Sequence, residues 1–186
     1  SMTIEKYFDG PVKAWGLLQD RSGKVTRQFK ADMFGSFEGD ILTLKEDFYW
    51  TDGEKQNRIW KIKKIDQNYY EGSAPDVVGT AKGFQYGSAF KFEYDLMVPF
   101  KGKNIKVSFD DWIFKQDEEV AINRATLTKF GFKVGELTVF FNLIRKLKAK
   151  SAREAGVLSA IMQEQSGFRA ASLRRVLCWT LCAPSA

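Results

Sequence analysis

The stretch NIKVSFDDWIFKQDEEVAINRATL (104–127) contains two runs in which apolar and polar residues alternate, separated by the polar pair Asp117-Glu118. Alternation with a period of two is typical of a half-buried strand, and a short polar break between two such runs indicates a β-hairpin. If Asp117-Glu118 is a two-residue turn, Asp111 lies opposite Arg124. Because directly opposed side chains lie about 5 Å apart at Cβ, the sequence predicts an Asp111–Arg124 ion pair.

A second hairpin is predicted around Asp52-Gly53, because Asp-Gly is a strong signal for a two-residue turn. This turn places Asp47 opposite Arg58. Two hairpins thus each set an Asp against an Arg, with aromatic residues nearby. We interpret both pairs first as cross-strand contacts that fix the strand register. The alternative is that they point inward and act as polar anchors in a ligand cavity.

The same alternation continues from Val12 to about Phe141, interrupted by turn signals such as Ser22-Gly23 and Gly39-Asp40. This pattern predicts about nine or ten short antiparallel strands joined by tight hairpins. A meander of that length usually closes into a barrel and so avoids open edges. A barrel of about eight to ten strands has room for a small ligand. A flat sandwich is the competing fold.

Two segments outside the strands are predicted to be helical. TIEKYFDG (3–10) predicts a short helix that Thr3 would cap, and Ser1-Met2 before it is typical of the remnant of a cleaved tag. At the other end, a capping box at Ser151 opens a helical pattern that continues towards the C-terminus. We therefore predict a barrel domain over 3–148 and a helical extension over 149–186.

The positive charge of the protein belongs to this C-terminal part. From Leu143 to Ala186 there are eight basic and two acidic residues, which equals the net charge of +6 for the whole chain. The neutral barrel domain argues against nucleic-acid binding, which needs basic neutralisation of phosphates. The segment LIRKLKAK (143–150) mixes apolar and basic residues, so peripheral membrane contact is one expectation. The apolar residues from Val176 to Leu181 suggest a homodimer contact.

Few residues in this chain carry catalytic chemistry. It has no histidine and only two cysteines, which removes the usual general base, the Ser-His and Cys-His nucleophile pairs and four-cysteine zinc sites. The adjacent carboxylates Asp110 and Asp111 would point to opposite faces of a strand, which argues against an acid–base pair. We therefore predict a protein that is not an enzyme, with no metal and no cofactor. Asp76, in a predicted turn, receives no role.

Four long blocks resemble a known family. They are FDGPVKAWGLLQDRSGKVTRQF (8–29), EDFYWTDGEKQNRIWKI (46–62), YEGSAPDVVGTAKG (70–83) and FDDWIFKQDEEVAINRATLTKFGFKVGELTVFF (109–141). Together they are similar to the bacterial lipocalin-like family of the domain of unknown function 3833. The resemblance implies a calycin-like barrel and no established activity. It also implies the cell envelope or periplasm of a Gram-negative bacterium, although no signal-peptide pattern occurs in the residues given.

These observations favour a lipocalin-like barrel that binds or carries a small apolar, lipid-like ligand. One alternative is a structural protein with a filled barrel that self-associates through its tail, and another is an enzyme acting on a lipid-like substrate. A buried carboxylate without an Arg partner would favour the enzyme. The candidate ligand-binding residues are the wall residues Trp15, Trp60, Tyr94 and Trp112 and the polar anchors Asp47, Arg58, Asp111 and Arg124.

Overall fold

The computed structural model of the protein describes residues 2–144. Within them a short helix precedes ten strands. Each strand pairs antiparallel with the next, and β1 pairs with β10, so the sheet closes into a barrel. The predicted closed barrel is confirmed, and the alternative of a flat sandwich is wrong. The elements are α1 (Ile4–Tyr7), β1 (Gly10–Asp20), β2 (Val25–Glu38), β3 (Ile41–Trp50), β4 (Lys55–Lys64), β5 (Tyr69–Ser73), β6 (Val77–Tyr86), β7 (Ala89–Phe100), β8 (Lys103–Lys115), β9 (Val120–Lys129) and β10 (Phe132–Leu143).

The β8–β9 hairpin has a three-residue loop, not the predicted two-residue turn. The Gln116 N–H donates to the Val120 carbonyl at 2.9 Å, which leaves residues 117–119 in the loop. Asp111 therefore pairs with Ala125, and Arg124 moves opposite Trp112. The predicted Asp111–Arg124 ion pair is wrong, because a one-residue change of register sends two side chains to opposite faces of the sheet.

The β3–β4 hairpin differs from its prediction in the same way. The Trp50 N–H donates to the Glu54 carbonyl at 2.9 Å, and Gly53 adopts a φ of 90°. A glycine with positive φ at the end of the loop is typical of three-residue hairpins. Arg58 therefore lies opposite Glu46, whereas Asp47 lies opposite Asn57. The predicted Asp47–Arg58 pair is wrong, and Asp47 is exposed on the outer face.

The helix α1 closes one end of the barrel. It is shorter than predicted, and Thr3 makes no side-chain capping bond. Ile4 and Phe8 are 3% and 1% exposed. The Tyr7 hydroxyl lies within hydrogen-bond distance of the backbone carbonyls of Asp117 and Val120, at 2.9 and 2.7 Å. Met2, predicted to belong to a tag remnant, is 1% exposed, and its N–H donates to the Gly87 carbonyl at 2.8 Å.

A buried carboxylate anchors this closed end. Glu5 is 3% exposed. It accepts a hydrogen bond from Lys64 at 2.6 Å and one from the Tyr70 hydroxyl at 2.8 Å. Burial alone would raise the pKa of Glu5, but these bonds and the Lys64 charge lower it below its usual 4.5. The charge of Glu5 is thus matched within the plug, which fixes α1 to the strands β4 and β5.

The predictions for the C-terminal part lie outside the described residues. They concern the helices after Ser151, the extension 149–186, the membrane contact of 143–150 beyond Ile144, and the dimer contact of 176–181. Within residues 2–144, no helix is long and apolar enough to cross a bilayer.

Candidate functional site

A cavity of about 660 Å³ occupies the barrel interior. It reaches from Ile4 and Phe8 of the plug to Phe100 and Lys129 near the opposite end. The residues described therefore leave the barrel unfilled, contrary to the alternative of a filled interior. A volume of several hundred Å³ suits a small organic ligand.

Alternation along the strands decides which side chains reach this cavity. In β3, Leu42, Leu44, Glu46, Phe48 and Trp50 all line it. The residues closest to the plug are aliphatic, a carboxylate follows at middle depth, and aromatic rings lie nearer the opposite end. On β4, β7 and β8 the middle position is likewise polar, with Arg58, Tyr94 and Asp111. The wall of the barrel interior is thus apolar except for one belt, and further polar side chains line the cavity at the end opposite the plug.

The first half of this belt is a charged group on β3 and β4. The Arg58 guanidinium donates to both carboxylate oxygens of Asp76, at 3.0 Å from Nε and 2.7 Å from Nη2. Its Nη1 lies 3.5 Å from a carboxylate oxygen of Glu46. Glu46 is 8% exposed. Asp76 belongs to the turn between β5 and β6, so three parts of the chain meet at one guanidinium.

The second half of the belt surrounds Asp111, which is 9% exposed. The Tyr94 hydroxyl donates to it at 3.0 Å, and the Asn123 side-chain amide donates to its other oxygen. The same Asn123 amide donates to the Trp112 carbonyl at 3.1 Å. The carboxylate is therefore held by neutral donors. Among the described residues no Lys or Arg forms an ion pair with Asp111, unlike Glu46.

Burial shifts the acid–base properties of both carboxylates. It raises the pKa of Glu46 to about 7, and the charge of Arg58 offsets only part of that effect. It raises the pKa of Asp111 to about 6, although the bonds from Asn123 and Tyr94 act in the opposite direction. Burial also raises the pKa of the Tyr94 hydroxyl, with a further contribution from Asp111. Asp111 contributes to the raised pKa of Glu46, so the two halves of the belt interact.

Aromatic rings surround the belt. Trp60 packs against Phe92 and Tyr94 with ring centroids 5.0 and 5.2 Å apart. Tyr94 stacks on Phe109 at 5.1 Å with an interplanar angle of 10°. Such contacts stabilise the wall and hold each ring in place. The cavity therefore offers flat apolar surfaces next to a fixed set of polar groups.

Four of the eight candidate residues line the cavity: Arg58, Trp60, Tyr94 and Asp111. The other four lie on the outer face, so the structure corrects their predicted place. Asp47 and Arg124 are exposed because both hairpins have longer loops. Trp15 is 39% exposed and packs against Phe140 outside the barrel. Trp112 stacks against Tyr86 and Phe114 on the outside, since its neighbour Asp111 points inward.

Sequence reasoning missed three members of the belt: Glu46, Asp76 and Asn123. Asp76 lies 18 residues from Arg58 along the chain, and no local pattern links the two. Glu46 and Asn123 follow from the register, which depends on loop length. Only the alternation along β3 could have indicated that Glu46 faces the cavity. Glu46 is an even number of residues from Leu42 and Leu44, so it lies on the same inward face.

The arrangement can bind an organic molecule and exchange a proton with it at a carboxylate. Within residues 2–144, no group of three or more His, Cys, Asp or Glu side chains is placed to hold a metal ion. The expectations that the protein needs no metal and no cofactor stay predictions.

Two solved structures resemble this fold. The S-type phycobiliprotein lyase CPES from Guillardia theta has a TM-score of 0.55 and 8% sequence identity, over 76% of this chain and 92% of that chain. The protein EF1p2_mFAP2b, solved bound to DFHBI, has a TM-score of 0.40 and 11% identity, over 74% and 94% of the two chains. The first likeness concerns the fold alone, and the second is too distant to support an argument.

Comparison by sequence gives a narrower result. No curated protein matches the chain. A family profile described as a protein of unknown function, DUF3833, matches residues 1–143, which is the whole barrel with its helical plug. This agrees with the resemblance of the four blocks quoted above. The chain therefore belongs to the DUF3833 family.

Proposed function

We propose that the protein binds a small, largely apolar molecule inside the barrel. The observation that carries this proposal is the cavity of about 660 Å³, whose wall inside the barrel is apolar apart from one buried polar belt, with further polar side chains at the end opposite the plug. A binding site of this kind gains affinity from the apolar wall and orientation from a few fixed polar groups.

The composition of the belt indicates which polar group the ligand would carry. The belt contains three carboxylates, those of Glu46, Asp76 and Asp111, and the single guanidinium of Arg58, which contacts the first two. Acceptors therefore outnumber cations. A ligand group that donates hydrogen bonds, such as an amine, amide or hydroxyl, matches this belt better than a carboxylate or phosphate. The ligand we propose is thus an apolar molecule with a donor group near its middle or at one end.

A fluorescent probe tests the cavity. N-phenyl-1-naphthylamine is apolar and small, and its emission rises in an apolar site, so titration with the full chain measures binding. Leu44→Trp would fill part of the cavity because Leu44 is 7% exposed and faces inward. Lys45→Trp is the matched control, since Lys45 is the next residue and is exposed outside. We expect Leu44→Trp to weaken probe binding about tenfold and Lys45→Trp to leave it unchanged.

Equal affinities of the two variants would overturn the proposal, as would the absence of probe binding to the unmodified protein. Should Leu44→Trp fail to fold, Val107→Phe on the opposite wall serves the same purpose, because Val107 is buried and lines the cavity. Displacement of the probe by dodecylamine and by dodecanoate then tests the donor preference. Stronger displacement by dodecanoate would contradict it.

A second candidate function is catalysis on a lipid-like substrate, and Asp111 is the observation that favours it. Its carboxyl group lies in the cavity wall with a pKa of about 6, so it could give or take a proton near neutral pH. The test is to incubate the protein with a bacterial lipid extract and to follow the masses of its components. Turnover that is lost in Asp111→Asn, while probe binding persists, would support an enzyme over a carrier.

A further inference from the structure

Two neighbouring hairpins at the end of the barrel opposite α1 carry large exposed apolar side chains. They are the β7–β8 hairpin and the β9–β10 hairpin. Phe130 is 88% exposed, Phe132 is 76% exposed and Phe100 is 54% exposed. A cleft of about 290 Å³ lies between the two hairpins, bounded by Ile105 on one side and Phe130 on the other, which shows that they are neighbours in space. We call these two hairpins the aromatic rim.

The turns of the aromatic rim use residues that such turns normally avoid. Lys101 and Phe130 have φ values of 48° and 50°, and each is followed by a glycine that also has positive φ. Turns with two positive φ values usually carry Asn, Asp or Gly first, because a larger side chain disfavours this backbone conformation. Within the described residues Phe130 makes no ring–ring contact, and Lys129 Nζ lies 5.3 Å from its ring centroid. Since the side chain is 88% exposed, burial in that part of the chain does not explain a Phe at this position.

The aromatic rim is also basic. The segments MVPFKGKNIK (97–106) and TLTKFGFKV (126–134) contain five lysines and no acidic residue. Of these, Lys106 pairs with Asp95 and Lys133 with Glu136. Within residues 2–144, the remaining three lysines, Lys101, Lys103 and Lys129, form no ion pair.

The β1–β2 and β3–β4 turns, on the opposite side of the same end, differ from the aromatic rim in their charges. There Arg27 bridges Asp52 and Glu54 at 2.7 Å each, and Asp20 accepts hydrogen bonds from the backbone of its own turn. Within residues 2–144, Arg21 and Lys24 of the β1–β2 turn form no ion pair either, but the two turns on that side also carry the acidic residues Asp20, Asp52 and Glu54. The segments without any acidic residue, and the Phe side chains that are more than half exposed, therefore lie on the side of this end at which the cavity meets Phe100 and Lys129.

We propose that the aromatic rim docks on the surface of an anionic lipid bilayer. Exposed Phe side chains next to lysines match a membrane interface, where rings insert at the headgroup level and lysines meet anionic lipids. The docked orientation turns the end of the cavity bounded by Phe100 towards the bilayer, the source of an apolar ligand. The docking itself does not depend on the proposed ligand binding.

Co-sedimentation of the full chain with lipid vesicles tests this proposal. The probes are phosphatidylcholine vesicles with and without phosphatidylglycerol, at low and high salt. We expect binding only to the vesicles with phosphatidylglycerol, and weaker binding at high salt. The triple variant Phe100→Thr, Phe130→Asn and Phe132→Thr should reduce partitioning by about tenfold or more. Asn is chosen at 130 because it tolerates the left-handed backbone.

Matched controls remove the same kind of residue elsewhere. Tyr86→Thr and Phe34→Thr remove exposed rings, 55% and 49% exposed, far from the aromatic rim, and should leave partitioning unchanged. Neutralising Lys101, Lys103 and Lys129 with Gln should reduce it, whereas Lys30, Lys45 and Lys61 changed to Gln should have a smaller effect.

Three results would overturn the proposal. The first is that the unmodified chain does not bind vesicles. The second is that the rim variants bind vesicles as well as the unmodified chain does, which would assign the contact to residues 145–186. The third is that the unmodified chain forms a dimer that the rim variants dissociate. The probe titration distinguishes this inference from the proposed function. The double variant Phe130→Asn and Phe132→Thr, which keeps the cavity-lining Phe100, should still bind N-phenyl-1-naphthylamine. A protein that binds vesicles but not the probe would retain the docking surface without the cavity function.

Discussion

The buried carboxylates of Glu5 and Glu46 show how one barrel treats the same group in two ways. Glu5, in the plug, has Lys64 and Tyr70 as close partners, and its pKa is lowered. Glu46, in the cavity wall, shares Arg58 with Asp76, and burial raises its pKa to about 7. Both are nearly inaccessible to solvent, at 3% and 8% exposed, but Glu46 lies deeper among protein atoms, so burial raises its pKa more. The difference therefore arises from depth as well as from the number of donors and cations around each carboxylate.

This comparison separates a stabilising site from a candidate functional one. A buried carboxylate whose charge is fully matched stabilises the contact between elements and has no free acceptor for a ligand. A buried carboxylate that lacks enough donors has free acceptor capacity, which a bound molecule would fill. Groups with raised pKa values in a cavity are for this reason candidates for function. Three predictions test the comparison.

The largest effect is expected from Lys64→Met, which leaves the Glu5 carboxylate buried without its cation. We expect a loss of about 3 kcal/mol in the free energy of unfolding near neutral pH. Lys63→Met is the matched control, because Lys63 is its exposed neighbour and pairs with Asp40 at the surface. That variant should lose no more than about 0.5 kcal/mol. Urea unfolding measures both.

The double variant Glu5→Gln and Lys64→Met sharpens the result, since it removes the unmatched charge and should recover much of the stability. Because the pKa of Glu5 is lowered in the folded state, its ionisation stabilises the protein above pH 4.5, the usual pKa of Glu. This contribution is lost as the pH falls through the folded pKa. Equal losses for Lys64→Met and Lys63→Met would contradict our account of the plug.

The second prediction concerns Glu46→Gln, because the pH dependence of stability that Glu46 causes is opposite to that of Glu5. A folded pKa of about 7 against the usual 4.5 means that the folded protein holds its proton more tightly than the unfolded chain. Stability of the unmodified protein should therefore fall between these pH values, by about 3 kcal/mol. Glu46→Gln lacks this loss, so its stability relative to the unmodified protein should rise from about pH 5 to about pH 8.

Glu5→Gln is the comparison variant for this experiment. The difference in unfolding free energy between Glu5→Gln and the unmodified protein should stay nearly constant between these two pH values. The reason is that Glu5 is already ionised in both the folded and the unfolded protein across that range. Unfolding free energies of the three proteins at both pH values provide the test. A pH-independent difference for Glu46→Gln would show that Arg58 matches the Glu46 charge, despite the nearby Asp76 carboxylate, as completely as Lys64 matches Glu5.

The smallest effect is expected from Arg124→Ala. Arg124 is on the outer face, its side chain is 63% exposed, and its contact with Glu136 is 3.5 Å long. Exposed pairs of this kind contribute about 0.5 kcal/mol. A loss of several kcal/mol on thermal or urea unfolding would instead indicate the buried Asp111–Arg124 pair that a two-residue turn would form, and would contradict the observed register.

Much of the fold was predictable because its signals are local. Alternation between Val12 and Phe141 and the turn residues between the runs predicted antiparallel strands and closure into a barrel. The candidate site was less predictable. Arg58, Trp60, Tyr94 and Asp111 were named and do lie in the cavity, whereas Trp15, Asp47, Trp112 and Arg124 face outward. Aromatic residues occur on both faces of β8, with Phe109 inside and Trp112 outside, so composition did not reveal which face was inner.

By itself the sequence determined the strands, their order and the neutral, aromatic character of the barrel, because each depends on residues close together in the chain. Only the tertiary structure decided the register and the polar belt. One additional residue in each of two loops moved Asp111 away from Arg124 and brought Glu46 opposite Arg58. The turn after β5, the strand that pairs with β4, then brought Asp76 to the same guanidinium. Such contacts depend on loop geometry and on distant strands, and alternation within a single strand carries no information about either.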